Sequence, residues 1–154
     1  MKILKIGDLA PEVKGVDQNG KTISLKDFKG KKVIIYFYPK DDTPGCTAEA
    51  CNLRDNFNDW ISKGFIIIGI SPDPITSHKK FAEKYNLPFS LISDSDKEIL
   101  QTYNAWGEKK MYGKTYQGVL RKTFILDENH KIEKIIEKVD TKDHTNQIFK
   151  ELKL

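Results

Sequence analysis

Two stretches constrain the fold more than anything else in the chain: "KKVIIYFYP" (31–39) and "FIIIGISPD" (65–73). Both are unbroken apolar runs rich in β-branched and aromatic residues, and neither alternates with polar ones. Such runs suit strands buried on both faces. Between them Ala50, Leu53, Phe57, Trp60 and Ile61 recur at helical spacing until Gly64, which predicts an amphipathic helix with a glycine stop. Doubly buried strands joined through a helix imply a sheet covered by helices on both faces.

The remaining segments extend that unit. "VKGVDQNGKTISL" (13–25) reads as an N-terminal β-hairpin, with Asn19-Gly20 supplying positive φ angles in a tight turn. "SHKKFAEKYN" predicts a second amphipathic helix, "FSLISD" a shorter strand, and "SDKEILQTYN" a helix starting near Ser95 or Asp96. "RKTFILDENHKIEKIIEKV" alternates around a polar turn as an antiparallel hairpin, and "DHTNQIFKEL" closes the chain as a helix. The order predicts an α/β fold with a mixed central sheet flanked by helices. "WGEKKMYGKTYQG" (106–118) shows no period and carries three glycines, so a mobile loop is expected there.

At 154 residues the chain fits one domain with a core large enough to need no staples. Its two cysteines are too few for a disulfide scaffold. No signal peptide or membrane span can be drawn, because Lys5 and Asp8 interrupt the apolar N-terminal run. A cytoplasmic protein is therefore expected. The net charge of +4 is spread through interleaved lysines and acids, which excludes a basic nucleic-acid tail. Only Arg54 and Arg121 among the 26 basic residues are arginine. Lysine supplies the generic charge, so each arginine invites a reason. Arg54, one turn past Cys51, reads as helix-surface charge.

Both cysteines lie in "YPKDDTPGCTAEAC" (38–51). Pro44 suits the first helical position with Thr43 as N-cap. Cys46 then sits in the first turn, where partial positive charge and unpaired amides favour a thiolate. Positions 46, 50, 53 and 57 share the apolar face, so Cys46 should point toward the edge of the core. Five residues further, Cys51 is rotated by about 140° on an ideal helix, with the two Cα atoms ~8.7 Å apart. A disulfide needs about 4.4–6.8 Å. The two cannot bond while the helix is intact; bonding them requires its first turns to unwind. The spacing also differs from the C-x-x-C of a general disulfide oxidoreductase.

The pattern Pro39, Thr43, Cys46 together with "TPGCTAEAC" resembles the peroxiredoxins, in particular their bacterioferritin-comigratory-protein (Q-type) class. "GDLAPEV", "GISPD", "YNLPFSLISD" and "WGEKKMYGKTYQGVLRKTFILD" match in order, so the resemblance covers nearly the whole chain. It implies a thioredoxin-like fold and thiol-dependent reduction of hydroperoxides, with no metal or other cofactor. By the same resemblance Cys46 corresponds to the peroxidatic and Cys51 to the resolving cysteine, joined as an intramolecular disulfide that thioredoxin reduces. Thr43 and Arg121 correspond to residues contacting thiolate and peroxide, Pro39 to a residue shielding the pocket, and Glu49 to a supporting acid. A monomer is expected, because resolution within one chain needs no partner subunit.

Other signals carry less. "GKT" (113–115) lacks the upstream glycine of a phosphate loop, since Glu108 stands there. His78, His130 and His144 show no ligand spacing to one another or to the cysteines. Trp106, Met111, Tyr112 and Tyr116 are expected to pack over the rim of the site. Rival readings are a disulfide reductase on the same fold, a redox sensor or holdase driven by the melting helix, and a binding module with inert thiols.

Overall fold

A computed structural model describes residues 2–154. The two apolar runs form β3 (Lys32–Phe37) and β4 (Phe65–Ser71), paired in parallel with Ile35 opposite Ile68. Around them lies a seven-stranded mixed sheet. The N-terminal hairpin gives β1 (Lys14–Val16) and β2 (Thr22–Ser24), and "FSLISD" gives β5 (Ser90–Ser93). The late hairpin gives β8 (Lys122–Leu126) and β9 (Ile132–Ile136), so the order is β2-β1-β5-β4-β3-β8-β9. β5 runs parallel to β4, whereas β8 is antiparallel to β3.

Alternation along β3 sorts the core into two faces. Ile34, Tyr36 and Tyr38 join the buried residues of α1 (Pro44–Asp55), α2 (Phe57–Ser62), α3 (Ile75–Tyr85) and α5 (His144–Leu152). Val33, Ile35 and Phe37 face the other way, against the N-terminal segment and α4 (Glu98–Thr102). The helices thus lie on both faces of the sheet, as expected of the thioredoxin-like architecture.

Five local expectations need correction. The helix after the first cysteine is two helices, broken at Asn56 (φ −110°, ψ 16°), and the second leaves Ile61 exposed. In the first hairpin only Gly20 has positive φ (+76°); the Asp17 side chain accepts the amides of Asn19 and Lys21 and shapes a longer turn. Helix α4 begins at Glu98, because Asp94 accepts the amides of Ile99 and Leu100 while Lys97 turns left-handed. The expected loop at 106–118 is an ordered two-stranded hairpin, β6 (Trp106–Met111) and β7 (Lys114–Val119). Tyr112 and Gly113 form its two-residue turn, with φ of +53° and +77°. Much of this hairpin is exposed, so no apolar alternation announces its strands. Met111, Tyr112 and Tyr116 are 54%, 97% and 40% exposed and join no core cluster; of the four expected rim residues Trp106 alone rests against the core.

Gly69 on β4 is a tight contact. A Cβ there would lie 2.8 Å from Tyr36 Cζ and 2.9 Å from Leu91 Cδ2. Gly69→Ala should therefore destabilise the fold by about 1–3 kcal/mol, measured by urea unfolding with an unchanged m-value. An unaltered midpoint would show that Tyr36 yields freely.

Candidate active site

The site forms where β3 ends and α1 begins. Asp41 and Asp42 make the connecting turn, and Asp42 adopts a left-handed φ of +57°. Lys84 and Tyr85 of α3 donate to its carboxylate, each at 2.8 Å. Asp41 is buried beneath, accepting from Tyr38 Oη (2.6 Å) and Ser77 Oγ (2.8 Å). His78 Nδ1 lies 2.6 Å from its Oδ2. Asp41, Asp73 and His78 bring potential ligand atoms within 4.8 Å of one another. Their polar atoms are already matched internally, with Asp41 N–H on Asp73 Oδ2 and His78 Nε2 on the Ile92 carbonyl. The cluster serves as an anchor for the turn.

Thr43 stands at the N-cap and Pro44 begins α1, as expected. The Thr43 hydroxyl does not cap a helix amide; it donates to the Lys40 carbonyl at 2.8 Å. That bond uses its proton and leaves its lone pairs as acceptors. Pro39, two residues past the end of β3, is half-buried. From α1 the side chains of Cys46, Glu49, Ala50 and Leu53 are buried, an i, i+3, i+4, i+7 stripe. A carboxylate therefore shares the apolar face with the first cysteine.

Arg121 reaches them from the sheet. Phe37 is paired with Lys122, which puts Arg121 beside the end of β3 and below the first turn of α1. Its Nη1 donates to Glu49 Oε1 at 2.8 Å and its Nη2 donates to Cys46 Sγ at 3.3 Å. The side chain is only 24% exposed. Gly45 leaves it room, since a Cβ there would sit 3.4 Å from Nη2. Burial acts to lower the arginine's pKa, but the negative charges of Cys46 and Glu49 outweigh it and hold it above its ordinary value. The guanidinium thus stays cationic between a sulfur and a carboxylate.

The two cysteines differ. Both are free; Cys46 is buried and Cys51 half-buried. Burial raises the Cys51 pKa, partly opposed by Arg54, so this thiol holds its proton. Arg54 itself lies against the surface, paired with Asp55 and donating to the Tyr85 carbonyl. One residue beyond Cys51, Asn52 Oδ1 accepts the Thr145 amide of α5 at 2.8 Å. Helix α1 is therefore pinned immediately past its second cysteine.

The residue that sequence patterns miss is His144. It is fully buried, with Nε2 2.8 Å from Thr123 Oγ1 and 3.4 Å from Glu49 Oε2. Burial lifts the Glu49 carboxyl to about 7 although Arg121 pulls it down, and pushes His144 down to about 4. Tyr36 Oη, also buried, has no hydrogen-bond partner among the described residues. Burial and then the charges of Glu49 and Cys46 raise its pKa, so it remains a neutral phenol.

A buried cysteine at a helix start, bonded to an arginine just before the neighbouring strand, defines a thiol-based redox site on a thioredoxin-like sheet. The profile of the AhpC/TSA family matches residues 6–135, and the chain belongs to that family. It is 42% identical to peroxiredoxin Bcp of Bacillus subtilis (strain 168), over 97% of this chain and 96% of the relative. Peroxiredoxin Bcp of Escherichia coli (strain K12) is also 42% identical, over 99% and 98%. Among solved structures, the bacterioferritin comigratory protein of Xanthomonas campestris superimposes with a TM-score of 0.87. That pair is 30% identical, with 98% of this chain and 96% of that chain covered. The protein is accordingly a peroxidase that uses thiol chemistry on peroxides. No helix among the described residues is long and apolar enough to cross a membrane.

The Glu49–His144 pair has a definite signature in stability. In the unfolded chain Glu49 ionises near 4.5 and His144 near 6.5; in the folded chain these move to about 7 and about 4. Between 4.5 and 6.5 the unfolded pair holds one proton on His144 and the folded pair holds one on Glu49, so the pair contributes no slope. Removing either partner exposes the other. In His144→Phe the folded state alone keeps a proton on Glu49, so stability should fall as pH rises from about 4.5 to about 7. In Glu49→Gln the unfolded state alone protonates His144, so stability should fall as pH drops from about 6.5 to about 4. Urea titrations across pH should give opposite slopes, each up to ~1.4 kcal/mol per pH unit. Parallel profiles for the two variants would refute the assignment.

Proposed function

We propose that Cys46 is the peroxidatic cysteine and Cys51 the resolving cysteine of a thioredoxin-dependent peroxidase. The observation that carries this reading is the Arg121 Nη2 bond to Cys46 Sγ at the start of α1. The Cys46 thiolate attacks one oxygen of a hydroperoxide. A sulfur–oxygen bond forms, the O–O bond breaks, and sulfur is oxidised by two electrons. The departing oxygen leaves as hydroxide or alkoxide and takes a proton from solvent, giving water or an alcohol. Arg121 and the amides of the first helical turn stabilise the charge that develops on that oxygen. Thr43, its proton committed to Lys40, accepts a hydrogen bond from the incoming hydroperoxide. Pro39 shields the pocket, and Glu49 holds the second arm of Arg121.

The Cys46 sulfenic acid then condenses with the Cys51 thiol, releasing water and forming an intramolecular disulfide. Helix α1 runs unbroken through both cysteines, so turns 44–51 unwind first. Asn52, donating to the Lys142 carbonyl and accepting the Thr145 amide of α5, supports a fixed pivot just beyond the unwound segment. A dithiol such as thioredoxin reduces the disulfide by exchange, and the helix re-forms. Hydrogen peroxide and organic hydroperoxides are the substrates; the name of the Xanthomonas relative's structure speaks of alkyl peroxide reduction. The cycle requires one subunit, in keeping with a monomer, and thiols reduced between turnovers fit a cytoplasmic location.

Reduced protein mixed with hydrogen peroxide should form a Cys46–Cys51 disulfide, mapped by peptide mass spectrometry. Trp60, buried on α2 and bonded to Thr145 of α5, should report the opening in stopped-flow fluorescence. Thiols still free, or reaction no faster than that of a free cysteine, would remove this reading and leave the fold standing. Arg121→Lys should keep the fold yet slow Cys46 oxidation at least ~tenfold, because an ammonium cannot span both partners. An unchanged rate would take Arg121 out of the reaction.

A further inference from the structure

His78 on α3 is fully buried, and both of its ring nitrogens face oxygen. Nε2 lies 3.1 Å from the Ile92 carbonyl of β5. Nδ1 lies 2.6 Å from Asp41 Oδ2 and 3.4 Å from Tyr38 Oη. A carbonyl oxygen only accepts, so Nε2 carries a proton. Tyr38 spends its own proton on Asp41 Oδ1, 2.6 Å away, and so turns a lone pair toward the ring. Ser77 Oγ donates to Asp41 Oδ2 at 2.8 Å. With two hydroxyls donating to it, Asp41 stands as a carboxylate, and Nδ1 too faces acceptors alone.

A neutral ring could satisfy one of these contacts; at the other, two lone pairs would face each other in a buried place. A second ring proton satisfies both, and the 2.6 Å separation fits a charge-assisted bond. Imidazolium and carboxylate then cancel, so neither buried charge is left unpaired. The next acid, Asp73, is occupied by the Asp41 amide and the Ser71 hydroxyl, each at 2.8 Å. Burial keeps Tyr36 and Tyr38 as neutral phenols. Asp42, Lys80 and Lys84 line the groove that Asp41 borders.

The pair holds one peptide plane in place. The Lys40 carbonyl accepts the Thr43 hydroxyl, and the Asp41 amide of the same peptide donates to Asp73. The Asp41 side chain, anchored by His78, is the third tie on that peptide. We propose that His78 is a doubly protonated ring that pins Asp41, and that through Asp41 it sets the Lys40–Asp41 peptide that aims the Thr43 hydroxyl. Its ring bonds go to Asp41 and Ile92 and not to Cys46 or Thr43, so His78 is a positioning residue. Its effect on the reaction rests on the reading of Thr43 as acceptor for the hydroperoxide, whereas its double protonation does not. Thr43 serves only a reagent with a proton to donate. Loss of the pair therefore slows reaction with hydroperoxide and spares the reactivity of Cys46 toward other reagents.

Nitrogen-15 NMR of the full native chain at neutral pH reads the ring directly. His78 should show a proton on each nitrogen; a ring with one bare nitrogen would overturn the proposal. No peroxide is involved, so failure here is separable from failure of the peroxidase reading, and no variant need fold. In Asp41→Asn the side-chain amide can donate to Nδ1, so the ring should keep its proton on Nε2 alone. A ring still carrying two protons in that variant would show that Asp41 is not their cause. The role in the reaction is read in full chains carrying Cys51→Ser, where Cys46 is the one thiol. His78→Phe should slow oxidation of Cys46 by hydrogen peroxide at least ~tenfold, since a small misplacement of a contacting group is costly. Alkylation of Cys46 by a neutral thiol reagent should change less than about twofold. Asp41→Asn should keep the peroxide rate, because its amide replaces the proton. Both rates falling together in His78→Phe, or neither falling, would remove His78 from the positioning of Thr43.

Discussion

One guanidinium serves two partners. Arg121 divides its donors between Cys46 Sγ and Glu49 Oε1 in a place where solvent reaches only a quarter of its side chain. A buried cation with one partner missing is costly, and so is a buried anion. The three groups therefore stabilise one another only while α1 remains helical and β8 remains registered on β3. Most of the fold bears on that condition. The parallel β3–β4 pair carries the sheet edge from which α1 springs, and the antiparallel β8 delivers Arg121 beneath it. Lysine could supply the charge but not the planar fork that reaches sulfur and carboxylate together.

Under the proposed cycle the same helix must both hold and release. Its buried stripe packs Cys46 against the core, while its far end is tied to α5 through Asn52. Strong anchoring past Cys51 with weaker anchoring before it concentrates any opening in the first turns. Proline and glycine at the first two helical positions, and a threonine that spends its proton on the preceding loop, make that end the less cohesive one. The turn before it is restrained by Asp41 and Asp42 through α3. Any unwinding in the proposed cycle would thus be bounded on both sides, which would limit how far Cys46 can travel.

Much of this was legible before any coordinates. Unbroken apolar runs announced the buried strands, and helical spacing put Cys46 on the inward face of α1. A rare arginine in a lysine-rich chain pointed to Arg121. The failures have physical causes. The hairpin from Trp106 to Val119 is hydrogen-bonded but exposed over much of its length, so the period-two signal that burial imposes never arises. Asn56 breaks a helix whose apolar spacing continues across the break, because α2 resumes with Trp60 on the same core. In the first hairpin the Asp17 carboxylate organises the turn and relieves Asn19 of the left-handed conformation.

His144 was illegible for a deeper reason. Its role depends on an acid 95 positions earlier, on Gln147 one turn later and on a threonine from β8. No spacing rule joins those elements. Glu49 entered only through the family resemblance, as a supporting acid; its burial between Arg121 and His144 shows only in three dimensions. The Gln147 carbonyl fixes which histidine nitrogen faces the acid, and the backbone of Lys138 and Asp140 fixes Gln147 in turn. A loop after β9 therefore sets the orientation of a ring that lies 3.4 Å from the acid bonded to Arg121. Tautomer choice passes along that chain of hydrogen bonds from backbone to sulfur, and each step obeys donor and acceptor valence rather than sequence distance.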